Sequence, residues 1–195
     1  MTKAEKTRQF IIEKSAPIFN TKGVAGTAMS DIMEATKLAK GSLYVHFESK
    51  EELSYSAVDY NLKMLLDRII AAGSNQKTAK TKLIAVLDSL GNPLNPIVQG
   101  GCPMLNFGME ADDTNPVILQ KVNKTMETVQ QATVDLIEEG VKNGEFKSTW
   151  NAADFAVKSF AMIEGGILIS RISGNRDKMK TIMNILKKEI EEQST

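Results

Sequence analysis

The chain is poor in the residues that staple or metallate small folds: its 195 residues hold one Cys, one His and one Trp. A single Cys forms no internal disulfide, and one Cys with one His is too few ligands for a tetrahedral zinc centre. Gly, at 13, and Pro, at 5, are too scarce for a collagenous, mucin-like or wholly disordered chain. The start, Met1-Thr2-Lys3-Ala4-Glu5-Lys6, is polar and charged with no apolar segment behind it, so no signal peptide is read. The longest uncharged stretch, Ser89 to Met109, carries three prolines, four glycines and three asparagines, a density that excludes a spanning helix. The expectation is a cytoplasmic chain with no metal, no cofactor and no membrane partner. A surplus of charge is missing too, with 24 Lys+Arg against 24 Asp+Glu. That balance conceals an asymmetry: residues 1–50 carry eight basic and five acidic side chains, leaving 16 and 19 for the other 145.

What is present is helical spacing, which predicts an all-α fold of about nine helices. Thr2-x-x-Glu5 reads as a capping box opening a helix from about Lys3 to Asn20, ended by Gly23 and bent at Pro17. Ile11, Ser15, Ile18 and Phe19 mark its inner face. Thr27 is placed to cap a short helix over about 28–35, and another over about 39–46 follows Thr36-Lys37-Leu38. Ile32, Leu38, Leu43 and Phe47 would lock this pair onto Phe19. Ser49-x-x-Glu52 is a second capping box and opens a long helix over about 50–72. Further helices are expected over about 77–90, followed by the Gly91-Asn92-Pro93-Leu94-Asn95-Pro96 loop, over about 104–109, over 116–142 behind an Asn115 cap and Pro116, and to about 173 behind an Asn151 cap, with a last one bearing Met179 to Ile190. The domain boundary falls at 48/49, between a three-helix unit (1–48) and a larger helical domain (49–195).

Candidate chemistry concentrates in residues 27–50. A helix that enters the DNA major groove needs small, polar and basic residues in its first turn, and Lys40, Gly41 and Ser42 fill those places. Gly41 costs about 1 kcal/mol in a helix relative to Ala, which suits a close approach of backbone to a partner. Lys40 and Lys50 stand at helix N-termini, where a cation opposes the macrodipole unless a phosphate arrives. Tyr44, His46 and Thr27 can donate hydrogen bonds to phosphate oxygens, while Lys40 and Ser42 suit base edges. Two short helices joined by a tight break also occur in helical proteins that never touch DNA. A helical interaction or small-molecule-binding protein without DNA function is therefore the competing reading.

Gly23, Thr27, Ile32, Lys40-Gly-Ser-Leu-Tyr44, His46-Phe47 and Ser49-Lys-Glu-Glu-Leu53 together resemble the N-terminal domain of the tetracycline-repressor (TetR) family of transcriptional regulators. The resemblance spans Arg8 to Leu53. It implies a homodimer, a helix-turn-helix in each subunit, a palindromic double-stranded operator, and a C-terminal domain whose small-molecule effector releases the DNA. By position it places Lys40, Ser42 and Tyr44 on the operator, with Thr27, His46 and Lys50 on phosphates. The family commonly has Gly where this chain has Lys37, and Ser or Thr where it has Ala39.

The resemblance also pairs the last two helices, about 151–192, with their copies in a second subunit. Glu164-Gly-Gly-Ile-Leu-Ile-Ser170 offers small residues for close approach, and Met179 to Ile190 an apolar stripe that could equally fill the chain's own core. Met64, Met104, Phe107, Met109, Met126, Phe160 and Met162 are candidates to line a cavity for a small apolar or amphipathic effector, since Met suits adaptable surfaces. Cys102 reads either as a thiol sensor or as a small buried hydrophobe. Asp112-Asp113 and Glu138-Glu139 lack metal-ligand spacing. With no phosphate loop, nucleophile elbow or dinucleotide fingerprint, no enzyme is expected and no catalytic residue is named.

Overall fold

The computed structural model describes residues 1–91, 96 and 98–195. The Gly91 to Pro96 loop expected from sequence lies largely outside them, at 92–95. Among the described residues there are nine helices and no sheet: α1 (Lys3–Gly26), α2 (Met29–Thr36), α3 (Lys40–Tyr44), α4 (Lys50–Ser74), α5 (Ala79–Leu90), α6 (Pro103–Ala111), α7 (Pro116–Lys142), α8 (Ala152–Ser173) and α9 (Asp177–Gln193). Packing divides the chain into two compact units, Met1–Leu65 with Ile97–Thr125, and Leu66–Pro96 with Met126–Thr195. The first unit therefore recruits α6 and the start of α7, far beyond the 48/49 boundary drawn on the sequence.

In the first unit Thr2 closes the expected capping box with Glu5. The backbone of α1 leaves helical values at Gly23 (φ 78°, ψ 167°), not at Pro17, and resumes for one short turn to Gly26. That combination of angles is open only to glycine. Ile11, Phe19, Ile32, Leu43 and Phe47 are buried together with Leu53 and Ala57 of α4. Arg8 bonds Glu52 at 3.0 Å and lies 4.4 Å from the centroid of the Phe47 ring, so α1 grips the turn that leads into α4.

The second unit holds an aromatic cluster, Phe146, Trp150 and Phe155, in edge-to-face pairs with centroids 4.9 and 4.8 Å apart. Its α5 begins with Thr78 and Thr81 in a reciprocal cap, and the Glu145 carboxylate takes the amides of Ala79 and Lys80 at 3.1 and 3.0 Å. Those backbone bonds, Lys80's first, hold the Glu145 carboxyl below its ordinary value. The stripe Met179, Met183, Leu186 and Ile190 is buried within this chain, where Gly166 lets α8 approach Met179 and Ile182 of α9. A subunit seam cannot use that stripe. What α8 leaves exposed is a different face, Val157, Ala161, Leu168, Ile169 and Ile172, with the half-buried Gly165 among them and open space over it.

Candidate nucleic-acid interface

Helix α2 starts without a hydroxyl cap. Ala28 is its N-cap, and Asp31 at N3 reaches back to the Ala28 amide at 3.0 Å while binding Lys22 at 2.8 Å. The Lys22 ammonium and the Ala28 amide hold the Asp31 carboxyl below its ordinary value. The helix ends on Lys37 in the left-handed region, φ 57° and ψ 23°, the one non-glycine with positive φ among the described residues. A left-handed residue turns the chain sharply enough for α3 to begin three residues on, so Lys37 performs the turn that Gly performs elsewhere in the resembled family.

Helix α3 is only five residues long, shorter than the sequence suggests, because Val45, His46 and Phe47 turn back onto Gly41 and Leu43 carbonyls. Leu43 faces inward and is buried, whereas Lys40, Gly41, Ser42 and Tyr44 are exposed. The Lys40 ammonium lies 5.9 Å from the Tyr44 ring centroid. A methyl group on Gly41 would meet nothing within 4 Å, so the chain's own packing does not require glycine there. His46 is half-buried in the turn after α3. Lys40, Gly41, Ser42 and Tyr44 therefore share one short exposed segment, with His46 at its end.

Two residues expected on phosphates are engaged elsewhere. Thr27 is 1% exposed and its hydroxyl donates to the Gly23 carbonyl at 2.5 Å, so it neither caps α2 nor faces solvent. Lys50 turns inward and its ammonium donates to the Val24 and Thr27 carbonyls, 2.9 Å each. Both residues organise the end of α1. At the start of α4 the Ser49 hydroxyl accepts the Glu52 amide at 3.0 Å, but the Glu52 carboxylate takes the Glu48 amide and Arg8 instead of closing the box on Ser49. The Glu48 amide, then Arg8, hold the Glu52 carboxyl below its ordinary value.

The seven residues proposed to line an effector cavity are divided between the two units. Met64, Met104, Phe107 and Met109 belong to the first unit and Met126, Phe160 and Met162 to the second. Met109 is 72% exposed and Met64 36%, whereas Met104 and Phe107 are core. A cavity of about 220 Å³ in the first unit is lined by Phe107 with Val24, Ala25, Glu110 and Ile118, and by none of the methionines. Cys102 is buried at the N-cap of α6. Among the described residues no cluster of His, Cys, Asp and Glu could hold a metal, and no helix is long and apolar enough to cross a membrane.

Arg8 and Glu110 were not singled out from sequence, and Glu52 only as part of a capping box. Arg8 and Glu52 lay within the family-like segment, and their pairing across 44 residues had no local signal. Glu110 had none at all.

Comparison with known proteins agrees with this geometry. The family description "Bacterial regulatory proteins, tetR family" matches residues 11–54, and "Tetracyclin repressor-like, C-terminal domain" matches residues 79–186. The transcriptional repressor DhaR of Mycobacterium sp. (strain GP1) is 26% identical, the alignment covering 92% of this chain and 89% of that protein. The regulator TtgR of Pseudomonas putida is 27% identical over 83% of this chain and 79% of its own length. A TetR regulator from Chloroflexus aurantiacus superposes with a TM-score of 0.95 at 34% identity, covering 100% of this chain and 98% of that one. One from Cytophaga hutchinsonii gives 0.94 at 36% identity with the same coverage. Matched along both halves, and carrying an exposed helix-turn-helix of the corresponding kind, the chain belongs to the TetR family of DNA-binding transcriptional regulators.

Proposed function

We propose that the chain is a homodimeric repressor that reads a palindromic operator through α3 and is released by a small apolar or amphipathic effector bound in its C-terminal region. The observation that carries the reading is the exposed segment Lys40, Gly41, Ser42 and Tyr44, held up by the buried Leu43. Lys40 and Ser42 are assigned to base edges in the major groove, and Tyr44 and His46 to phosphates that set register. Two such helices in a symmetric dimer lie about one DNA turn apart, which demands a palindrome.

The exposed α8 face from Val157 to Ile172 is assigned to the dimer, with Ala161 and Gly165 allowing close approach. Met126, Phe160 and Met162, half-buried in the second unit, are the candidate apolar contacts of the effector. The test is selection from random duplex by the purified chain, with its mass measured in solution. Enrichment of a palindrome by a dimer supports the reading. A monomer, or binding with no preference beyond a salt-dependent affinity for any duplex, overturns it.

A further inference from the structure

The break in α1 at Gly23 interrupts its hydrogen-bond ladder, and buried or half-buried backbone groups must find other partners. Five backbone groups here are met by side chains, from α4, from α6 or from Thr27. Glu110 of α6 accepts the Val24 amide on Oε2 and the Ala25 amide on Oε1, both at 2.8 Å. Lys50 of α4 takes the Val24 and Thr27 carbonyls, and Thr27 the Gly23 carbonyl. One turn earlier on α6, Asn106 donates to the Asn20 carbonyl at 2.9 Å, while Asn20 donates to the Gln99 and Gly101 carbonyls. Asn106 and Glu110 thus lie on one face of α6 and hold α1 on both sides of its break.

Room for the carboxylate is made by the glycine itself. A Cβ on Gly23 would sit 2.8 Å from Glu110 Oε2, and one on Gly100 would sit 2.8 Å from the Asn20 carbonyl oxygen. The residues that follow the break lead directly into α2 and α3. The angle at which the recognition segment leaves α1 is therefore set by a side chain 86 residues away from the amide it holds.

We propose that Glu110 is a positioning residue for operator recognition: its carboxylate bridges the two amides freed at the Gly23 break and fixes the exit of α2 and α3 from α1. Glu110 touches no DNA in this scheme, and the proposal rests on the operator reading above. The carboxylate borders the 220 Å³ cavity instead of filling packed core, so replacing it by a carboxamide leaves no void. A carboxamide has one acceptor oxygen for two amide donors, and it turns its own N–H groups toward the second.

The experiment uses the full chain, its selected operator, random duplex, and residue-resolved amide exchange. Glu110→Gln is expected to lose about tenfold in operator affinity, the scale of one charge-assisted hydrogen bond. Random-duplex binding should stay within about twofold, because non-specific phosphate contacts tolerate misorientation. The Val24 and Ala25 amides should exchange faster while those of Ile11 and Ile12 do not change. Unchanged operator affinity overturns the proposal, and so does an equal loss on both duplexes with every amide of the unit faster, which is plain destabilisation. Should Glu110→Gln not fold, the wild-type chain decides: Val24 and Ala25 amides exchanging at open-loop rates overturn the clamp. Failure of the wild-type chain to enrich any palindrome overturns the operator reading separately, and is recognised because it appears before any substitution is made.

Discussion

Replacing Lys37 by Gly should stabilise the helix-turn-helix. Lys37 is exposed and sits at φ 57°, ψ 23°, a conformation that costs an L-residue with a Cβ about 1–2 kcal/mol. Glycine relieves that cost but enlarges the unfolded ensemble by about 0.4–1 kcal/mol. The difference is a net gain of about 0.5–1 kcal/mol, or roughly two- to fivefold slower exchange for amides that open with the unit. The lone Trp150 belongs to the second unit, so its emission would miss the change. Amide exchange at Ile32 and Leu43 is the assay, with Lys37→Ala as the control that keeps the strain. If the Gly and Ala variants move together, or if Gly exchanges faster than wild type, left-handed strain at this turn is not what limits its stability.

Operator contacts separate by type: Lys40→Ala should relax preference at one base position by about 1–3 kcal/mol, while Tyr44→Phe weakens all sequences alike, as read by repeating the duplex selection with each variant. The Asp31 and Glu52 carboxyls have ordinary values of 3.8 and 4.5 and are held below them in the folded chain. The stability they contribute is present above those values and lost as pH falls through the lower folded ones, so Asp31→Asn with Glu52→Gln should flatten the acid limb of a pH series of unfolding curves. Gly140→Ala forces a methyl into the Phe146 ring, and should destabilise the second unit by about 1–3 kcal/mol, visible as an earlier urea midpoint in Trp150 emission. Ile172→Glu on the exposed α8 face should leave a folded monomer by sedimentation, with operator binding lost.

Several helix starts were legible from a local cap. Thr2, Asn115 and Asn151 each hold an amide three residues on, and α7 spans the residues its Asn-Pro start foretells. The failures share one cause, that residue type and spacing do not say which of the partners in reach, near in sequence or far, a side chain takes. Thr27 resembles an N-cap by type and position, yet Asp31 supplies the cap and Thr27 turns back to Gly23. Lys50 resembles a free cation at a helix start, yet two carbonyls of the broken α1 claim it. The α9 stripe was visible as apolar at helical spacing, but periodicity names a buried face without naming what buries it. Its partners prove to include Gly166 of α8, against Met179, and Gly91 at the end of α5, against Met183.

The exposed apolar face of α8 and the exposed segment of α3 lie in different units of the chain, and this separation has a genetic consequence. If the chain pairs through α8 as proposed, an allele that spoils α3 alone still pairs, and mixed dimers carry one working head where the proposed palindrome needs two. Such an allele should be dominant, silencing half of the wild-type product when the two are made in equal amounts. On the same proposal, an allele that spoils the α8 face would not enter a mixed dimer and should be recessive.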